Sequence, residues 1–589
     1  MDAERPSRTH NGDNVRHHWP FPPACAGDSA LRLNLRAAAA LAVCLAALPA
    51  GALELPTGNP DLTIRWDNTL RLNAATRVES RDPKIGNSAL ADEGDYAFNK
   101  GQMVAERLDL LSEFDLVYRK AYGLRVSAAG WYDAAYGKQG HSNPDLALLA
   151  STPSYPGNTY SNTVDRLYRG PSGEFLDAFV FGAIDLGGVP LRAKLGRHTV
   201  YWGESLLLGG HLHSVAYGQS PLDLQKGFAT PGTEAKELFR PLNQLSLQAQ
   251  LTDTLSVAAT AGLAWEPARY PEGGTYLGPV DFVFNGPSRQ LLTVNTATTP
   301  ATPVYAVRGP ASEPRQRGEY GLSARWSPDW LDGTLGFYYR DFADKLPQVL
   351  RTAPTTYNMI YADGIKLAGI SLAKNIAGIS VGAEFSQRRN TPLNSAVLGL
   401  AAGMPDSGET KGPRGDTQHA LLNLLGTVAK TPLFDAASWA AEVQWSRWTK
   451  VRSGENLFNA LGFAPCAATA TAPAKDKWDG CATKSYTGVA FAFTPTWFQV
   501  LPGVDLSAPL SYAIGIDGNA AVTFGGNQGL GNYTVGLSAD VQQKYRFDLK
   551  YVDYVGRYKS NATQVTSTNG LTTYLKDRGF LSLTFKTTF

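Results

Sequence analysis

The sequence predicts an all-β protein, a transmembrane antiparallel up-and-down β-barrel of about 18 strands, within a range of about 16 to 20. Three observations indicate this class: apolar and polar residues alternate over long segments, the gaps between these segments alternate between long and short, and a leader for export precedes them. Composition agrees, because 11% of the 589 residues are aromatic, 59 are glycine and only 18% are charged. Soluble domains typically carry ~25% charged residues.

Simple counts exclude other classes. Lys and Arg total 54 against 52 Asp and Glu, whereas a nucleic-acid-binding protein would show a basic excess. No segment after the leader holds about 18 consecutive apolar residues, which excludes a helical membrane protein. The chain is therefore expected to bind no nucleic acid and to be a large β protein.

The N-terminus has the order of a secretory signal peptide. Its parts are the basic residues Arg32 and Arg36, the apolar run 37–48, the breaker Pro49, and the small residues Ala50 and Ala52 of the cleavage site. The apolar run is too short for a stop-transfer helix. We therefore divide the chain into an extended lead-in with its signal peptide over 1–52, and a barrel with long extracellular loops over 53–589, located in the outer membrane of a Gram-negative bacterium.

Two cysteines, Cys466 and Cys481, follow the leader. In an exported protein a pair at this spacing is most simply a disulfide that closes one loop. Zinc would need further ligands, and no His lies nearby. We expect neither a metal nor a cofactor.

Period-two alternation defines the strands. In the first segment Leu62, Ile64 and Trp66 share one face, and Arg65 and Asp67 share the other. Alternation over such a length means a strand with one apolar and one polar face. The predicted strands are 62–78, 107–118, 123–136, 174–185, 190–202, 243–252, 255–265, 318–327, 333–342, 365–374, 379–388, 416–427, 437–447, 485–499, 506–513, 533–541, 545–554 and 579–589.

The connections distinguish a membrane barrel from a soluble sheet. Long gaps such as 203–242 and 266–317 alternate with tight turns such as 119–122 and 253–254. Long loops at one end and short turns at the other are typical of outer-membrane barrels, whereas a propeller or a sandwich has no reason to sort its loops this way. An even number of strands places both termini at the short-turn, periplasmic end.

Lipid offers no hydrogen bonds, so the sheet must close, with its apolar faces toward acyl chains and its polar faces toward the lumen. A barrel of this size leaves an aqueous channel unless loops fill it. The charges predicted to face the lumen have both signs, so no ion preference follows. These lumen-facing candidates are Arg65, Arg71, Asp109, Glu113, Asp115, Arg125, Asp133, Arg192, Lys194, Arg546, Asp548 and Lys550.

One long loop differs from the others because it is apolar. It runs YWGESLLLGGH over 201–211. A segment so apolar is not expected to extend into water, and loops are where selectivity is commonly placed. We predict that this loop folds into the lumen and narrows or plugs it. The candidate constriction residues are Tyr201, Trp202, Glu204 and His211.

The chain ends on an alternating strand. Leu581, Leu583, Phe585 and Phe589 share one face, and an aromatic residue closes the sequence. This is similar to the C-terminal signal of outer-membrane barrels. Phe585 and Phe589 are therefore predicted assembly-signal residues, and the barrel-assembly machinery is a predicted partner.

The chemistry of an enzyme is not expected. The stretch 378–382 matches the pattern G-x-S-x-G, but that motif requires a strand-to-helix turn in an α/β sheet, and here it begins a strand of a meander. His211 and His213 are two residues apart, without a carboxylate cluster that would make them metal ligands. Surface histidines are the better interpretation.

Several stretches together resemble a known family. They include RLDLLSEFD over 107–115 and GRHTVYWGES over 196–205, with further stretches at 98–101, 125–133, 220–223, 346–347, 501–507 and 545–549. This resembles DUF1302, a family of proteobacterial outer-membrane proteins with porin-like barrels, over essentially the whole chain after the leader. The resemblance implies passage of hydrophobic or amphipathic solutes and a periplasmic lipoprotein-like partner. It supplies no binding residues.

The first functional hypothesis is a channel for passive or facilitated passage of small solutes, hydrophobic ones included. The second is an outer-membrane partner of a periplasmic assembly that exports lipid or another substrate. The third is an outer-membrane hydrolase. Outer-membrane lipid surrounds the protein in all three.

Overall fold

A computed structural model describes residues 53–146, 152–230, 235–401, 403 and 410–589. The predicted signal peptide and its cleavage residues Ala50 and Ala52 lie outside this part of the chain. Eighteen antiparallel strands form one closed sheet, so the predicted fold class and strand number are confirmed. Within the described ranges no helix is both long and apolar enough to cross a membrane.

The barrel strands are numbered in chain order. Their bounds are β1 Leu62–Arg77, β2 Met103–Tyr118, β3 Tyr122–Asp133, β4 Ser172–Leu186, β5 Val189–His198, β6 Leu242–Thr252, β7 Leu255–Gly262, β8 Tyr320–Trp326, β9 Gly333–Phe342, β10 Ile365–Ile376, β11 Ile379–Pro392, β12 Arg414–Val428, β13 Ala436–Ser453, β14 Ser485–Leu501, β15 Val504–Ser507 with Leu510–Gly518, β16 Gly531–Val541, β17 Tyr545–Val555 and β18 Phe580–Thr588. The interruption in β15 falls at Pro509, which has no N–H to donate to the ladder.

The sheet closes where β18 pairs with β1. The register runs from Thr69 opposite Thr588 to Arg77 opposite Phe580. Phe589 continues the seam, because it and Asn68 exchange both backbone hydrogen bonds at 2.8 and 2.9 Å. Beyond this point the short strand Leu53–Leu55 pairs with β1. The seam therefore leaves no open edge in the segment that lipid surrounds, as the absence of water there requires.

The two faces of the wall have opposite chemistry. Large apolar side chains on the outside remain exposed, among them Leu110, Val180 and Leu583. The alternate positions on the inside carry polar and charged groups, such as Arg71 and Asp109, which are buried. An apolar outer face on a closed barrel is the surface that hydrocarbon covers. The protein is thus located in the outer membrane of a Gram-negative bacterium.

Connections are sorted by length between the two ends. Turns such as 187–188, 253–254 and 502–503 lie at the end that holds the first and last described residues, Leu53 and Phe589, which in outer-membrane barrels is the periplasmic end. The long connections at the extracellular end are loop 1 (78–102), loop 2 (134–171), loop 3 (199–241), loop 4 (263–319), loop 5 (343–364), loop 6 (393–413), loop 7 (454–484), loop 8 (519–530) and loop 9 (556–579).

The extracellular loops pack into a layer with its own core. A four-stranded sheet joins Arg289–Asn295 and Thr302–Arg308 of loop 4 with Gln348–Ala353 and Thr356–Ile360 of loop 5. Its core contacts the inner wall, because Ile365 and Leu367 of β10 belong to the same buried cluster as loop side chains. Loops thus fill the extracellular end.

Several predicted strand ends differ from the observed ones, and two of them differ for physical reasons that the structure shows. The structure ends β5 at His198 rather than at 202, because Thr199–Trp202 turn into the lumen and begin loop 3. It extends β13 to Ser453 rather than 447, with Lys450 still opposite Asp416 of β12. A strand that continues beyond the lipid needs no apolar outer face, so its sequence loses the alternation that predicts strands.

Candidate channel constriction

Loop 3 crosses the lumen of the barrel. Its first half, 199–218, contacts strands β8 to β14, and the described residues of its second half, 219–230 and 235–241, contact β1, β2 and β3. Trp202 begins the crossing by packing against Gly321 of β8, where an added Cβ would lie 2.7 Å from the indole ring. A glycine is needed at 321 for this close approach.

Two wall carboxylates hold the backbone of the first half. Glu384 of β11 accepts hydrogen bonds from the Val215 N–H at 2.7 Å and from the Glu204 N–H. Glu442 of β13 accepts from the Leu206 N–H at 2.8 Å. Backbone N–H groups that are buried outside helices and sheets still need hydrogen-bond acceptors. Carboxylates are strong acceptors for them.

Two wall guanidinium groups hold the carbonyls of the same segment. Arg340 of β9 donates to the Val215 and Tyr217 carbonyls at 3.0 and 2.6 Å. Arg388 of β11 donates to the Leu212 and Ser214 carbonyls at 2.9 and 3.0 Å. The Arg388 guanidinium also lies 4.1 Å from the centre of the Tyr217 ring, within cation–π distance. The segment 212–217 is thereby fixed against β9 and β11.

Buried histidines join loop 3 to β12 and to loop 8. The Nδ1 atoms of His213 and His419 are 3.1 Å apart, and the Nε2 of His213 is 2.7 Å from the Gly525 carbonyl. Burial lowers the pKa of His213 to about 4. At neutral pH the ring is uncharged and uses one nitrogen as donor and the other as acceptor. His211 is also buried, and burial, with Arg388 and Arg340 nearby, lowers its pKa to about 3.

An ionic cluster holds the second half of loop 3. Glu237 accepts from Arg71 of β1 at 2.8 and 3.1 Å and from Lys226 at 3.2 Å. Asp109 of β2 lies 3.5 Å from Arg71, 3.8 Å from Lys226 and 3.0 Å from Arg107. Burial alone would raise the pKa of Glu237, but Arg71 and Lys226 outweigh it and hold that pKa below its usual value.

A second ionic group extends this anchorage toward β4. Arg269 of loop 4 contacts Glu174 at 2.6 Å and Asp223 of loop 3 at 3.0 Å. Arg240 contacts Glu266 at 2.7 Å. Charge pairs between side chains therefore join this half of loop 3 to the wall, and backbone hydrogen bonds of Leu222 and Leu224 with Arg269, both 2.8 Å, join it to loop 4.

All twelve lumen-facing candidates lie at inward positions of their strands, but they do not form one site. Only Arg71 and Asp109 reach loop 3. Five of the candidates are buried, namely Arg71, Asp109, Glu113, Asp133 and Asp548. Four are exposed, namely Arg65, Arg192, Lys194 and Arg546. The remaining three are half-buried, namely Asp115, Arg125 and Lys550. Arg125 joins Glu113 and Asp115 and is 3.5 Å from Asp177. Their roles in transport stay predictions.

The four constriction candidates all lie in loop 3. Tyr201 stacks on His211 and donates to the Ser205 carbonyl at 2.7 Å. Trp202 packs on β8, and the Glu204 side chain accepts from Ser371 of β10 at 3.1 Å. The prediction that His211 and His213 are surface residues is wrong. His211 is 3% exposed and His213 is 1% exposed. A lumen that a loop fills buries residues that a loop in water would expose.

Sequence reasoning missed most of the residues that anchor loop 3. Glu384, Arg388 and Glu442 occupy inward positions of strands that the alternation predicts, so the pattern could have marked them as lumen-facing. Lys226 and Glu237 lie in a loop without periodicity, and no local signal identifies them.

Three further sequence features have clear positions. Cys466 and Cys481 are joined by a disulfide within loop 7. Ser380 of the G-x-S-x-G stretch lies on β11, two residues after the turn that follows β10, in an antiparallel hairpin. The strand-to-helix turn of a nucleophile elbow is absent at this position. Phe585 faces outward beside Phe547, and recognition by the assembly machinery stays a prediction.

Comparisons with solved structures find outer-membrane proteins of similar length. OccAB2 of Acinetobacter baumannii has 12% identity and a TM-score of 0.38, with 89% of this chain and 98% of that chain covered. OpdK of Pseudomonas aeruginosa, solved with vanillate, has 10% identity and a TM-score of 0.38, with 89% and 98% covered. OccD3 of P. aeruginosa has 11% identity and a TM-score of 0.37, with 92% and 93% covered.

No match is found among curated proteins. A family model described as "Protein of unknown function (DUF1302)" matches residues 33–589. The match includes all eighteen barrel strands and all nine long loops.

Proposed function

We propose that this chain, which belongs to the DUF1302 family, is an outer-membrane channel. Small solutes move through it down their concentration gradients. The porin-like barrel gives the passage through the membrane. Loop 3 narrows that passage and selects the solutes, among which we include hydrophobic ones. The resemblance to the family that the sequence predicts is confirmed, and it supports this assignment without naming a solute.

The observation that carries the proposal is the course of loop 3 across the lumen. A barrel of eighteen strands is wide enough for an aqueous channel, and a selective channel needs a narrower part inside it. Loop 3 is anchored on opposite sides of the wall, by Glu384 and Glu442 on one side and by Arg71 on the other. A segment held at both ends can define a fixed aperture.

The two other functions considered from the sequence lack such an observation. An export assembly would require a docking surface for its periplasmic partner, and a hydrolase would require a nucleophile within reach of a base. Such a docking surface is not identified among the described residues. Ser246 does lie 2.8 Å from His198, but the other ring nitrogen of His198 lies 3.0 Å from the Gly196 carbonyl rather than against a carboxylate that would orient it as a base. The periplasmic lipoprotein-like partner and the assembly machinery therefore remain predictions.

Deletion of 205–210 tests the proposal in planar lipid bilayers. The deletion removes the hydrogen bond that the Leu206 N–H donates to Glu442. It also shortens the segment that crosses the lumen. We expect single-channel conductance to rise by about two-fold or more, because conductance follows the open cross-section of a pore.

A deletion of equal length, 469–474, serves as the matched control. These residues are exposed in loop 7, away from the lumen, so conductance should stay at the wild-type value. Heat-modifiable migration in gels should verify that both variants are folded barrels. Equal conductance of wild type and the 205–210 deletion would contradict the constriction role of loop 3, and absence of any current from wild type would contradict the channel.

A further inference from the structure

Two leucines, one in loop 3 and one on the wall, are exposed inside the lumen. Leu206 of loop 3 is 47% exposed and Leu425 of β12 is 44% exposed. The position of Leu425 is inward, because it pairs with Ser380 of β11 and lies two residues beyond Asn423, which donates to the Glu204 carbonyl. Exposed apolar surface rimmed by polar groups is typical of a binding site.

These two leucines lie at neighbouring levels of the same wall sector. The Leu206 N–H donates to Glu442, and Glu442 is opposite Asn423 in the register of β12 and β13. Residues two apart on a strand share a face and are separated by about 6.6 Å. Leu425 therefore lies on the same wall, one inward position closer to the periplasm than the Asn423–Glu442 pair that Leu206 contacts.

On the periplasmic side of Glu384 and Glu442, the wall around Leu425 carries no ionisable side chain. On β10 to β14, the inward positions between loop 3 and the periplasmic turns are small or uncharged residues, for example Ala373, Ser380, Ser438, Ala440 and Ala492. The sector formed by these strands between loop 3 and the turns is here called the neutral track. An ionic solute finds no counter-charge on it.

The opposite wall at the periplasmic side of loop 3 is ionic. Arg125 of β3 lies among Glu113, Asp115 and Asp177, and Lys194 of β5 is exposed to the lumen. A solute in this space meets apolar surface on one side and charged, hydrogen-bonding groups on the other. That arrangement is complementary to a molecule that is itself two-sided.

We propose that Leu206, Leu425 and the neutral track bind the apolar face of an uncharged amphipathic solute, whose hydroxyl or other polar groups point to the ionic wall. This rests on the proposed function, because the site lies in the path that the channel would provide. The leucines are specificity-determining residues. They favour apolar bodies over fully polar molecules of the same size.

A series of n-alkyl β-glucosides tests the site. Methyl, butyl and hexyl β-glucoside share one uncharged head group and differ only in the apolar part, and each is added below its micelle concentration to a single channel in a planar bilayer. We expect the concentration for half-maximal block of the ion current to fall about two- to four-fold per added methylene, four-fold being the value for full burial.

Leu206→Ser and Leu425→Ser, alone and together, should flatten this dependence, with block measured relative to each variant's own current without glucoside. Leu206→Ser changes only a loop residue, so it tests the site even where the β12 variant fails to fold. Leu422→Ser is the matched control, because Leu422 lies on the same strand with 45% exposure but faces lipid. It should keep the wild-type dependence.

The outcomes separate the inference from the function on which it rests. A conducting wild-type channel whose block does not depend on alkyl length would overturn the binding site and leave the channel in place. Flattening by Leu422→Ser as strong as that by Leu206→Ser would also overturn it, since the block would then reflect glucoside in the bilayer. A wild-type protein without current would instead reject the proposed function.

Discussion

The two sides of the inner wall hold loop 3 by different means. On the side of β9 to β13, wall side chains such as Glu384 and Arg340 bind the backbone of the loop. On the side of β1 and β2, Arg71 and Asp109 bind loop side chains, Glu237 and Lys226. Backbone anchorage fixes the path of the loop whatever its side chains are, whereas ionic anchorage depends on particular loop residues.

The same two sides differ below loop 3, where one is the neutral track and the other is ionic. The lumen is therefore not a uniform polar pore. The side that binds the loop by its backbone leaves the exposed Leu206 free to contact solutes. The side that uses ion pairs commits its charges to structure, since Arg71 and Asp109 are buried.

Breaking the ionic anchorage should have the largest effect. Glu237→Ala leaves Arg71 and Lys226 with Asp109 as the remaining carboxylate of the cluster. Removing one partner of a buried ion pair costs about 3–5 kcal/mol. Because loop 3 can shift and admit water, we expect a loss of about 3 kcal/mol in the free energy of unfolding, measured by urea denaturation in detergent.

An exposed pair provides the comparison for that experiment. Asp61 lies 3.2 Å from Arg119 at the periplasmic turn, with side chains 49% and 63% exposed. Asp61→Ala should change the free energy of unfolding by about 0.5 kcal/mol or less, as surface ion pairs do. If both variants lost the same stability, the cluster at Glu237 would not be the anchor that its burial indicates.

The barrel itself follows from the sequence because lipid enforces a local rule. Every strand that crosses hydrocarbon must present apolar residues at alternate positions, as Leu581 and Leu583 do on β18, and such a pattern is visible within a few residues. The length difference between turns and loops is equally local. Fold class and strand number could therefore be predicted.

The contacts of loop 3 could not be predicted, because they join residues that are distant in sequence. Arg71 and Glu237 are 166 positions apart, and Glu204 and Glu384 are 180 apart. Neither partner in loop 3 belongs to a periodic segment. The alternation identifies Glu384 as inward but not which inward residues meet the loop. The apolar character of 201–211 predicts its burial in the lumen, yet not its partners.

Acid should loosen the backbone-anchored side of loop 3. Burial lowers the pKa of His213 to about 4, below the value near 6.5 of an unfolded chain. Between these values the unfolded state binds more protons, so the stability that neutral His213 contributes is complete above pH 6.5 and is lost as pH falls toward 4. The shift corresponds to at most about 3 kcal/mol.

The variant His213→Gln isolates this contribution. Glutamine can still bond to the Gly525 carbonyl but does not titrate. Burial raises the pKa of Glu272 in loop 4 to about 7, so protonation there has the opposite effect on stability, and only the difference between wild type and variant at each pH is informative. Urea midpoints should diverge between pH 7 and pH 4.5. Parallel midpoints would show that His213 stays unprotonated or contributes nothing.

A single charge placed on either wall should have the smallest effect of the changes considered. The quantity that it changes is the cation-to-anion permeability ratio of the channel. Ala440 faces the lumen on the neutral track, and Gln248 of β6 faces it opposite Arg192 of β5. A unit charge about 7 Å from a passing ion changes the energy of that ion by about 0.6 kcal/mol in water, favourably for a cation and unfavourably for an anion, so the cation-to-anion permeability ratio changes by about seven-fold. Ala440→Asp should raise the cation-to-anion permeability ratio by that factor.

Gln248→Asp should shift the ratio less, because Arg192 partly cancels the new carboxylate. Both ratios are obtained from reversal potentials in a KCl gradient at low ionic strength, where screening is weak. Equal shifts would contradict the partial cancellation by Arg192 and would overturn this prediction. A larger shift from Ala440→Asp is the expected result, because the inward positions of the neutral track, next to Leu425, carry no cation that would offset the new carboxylate.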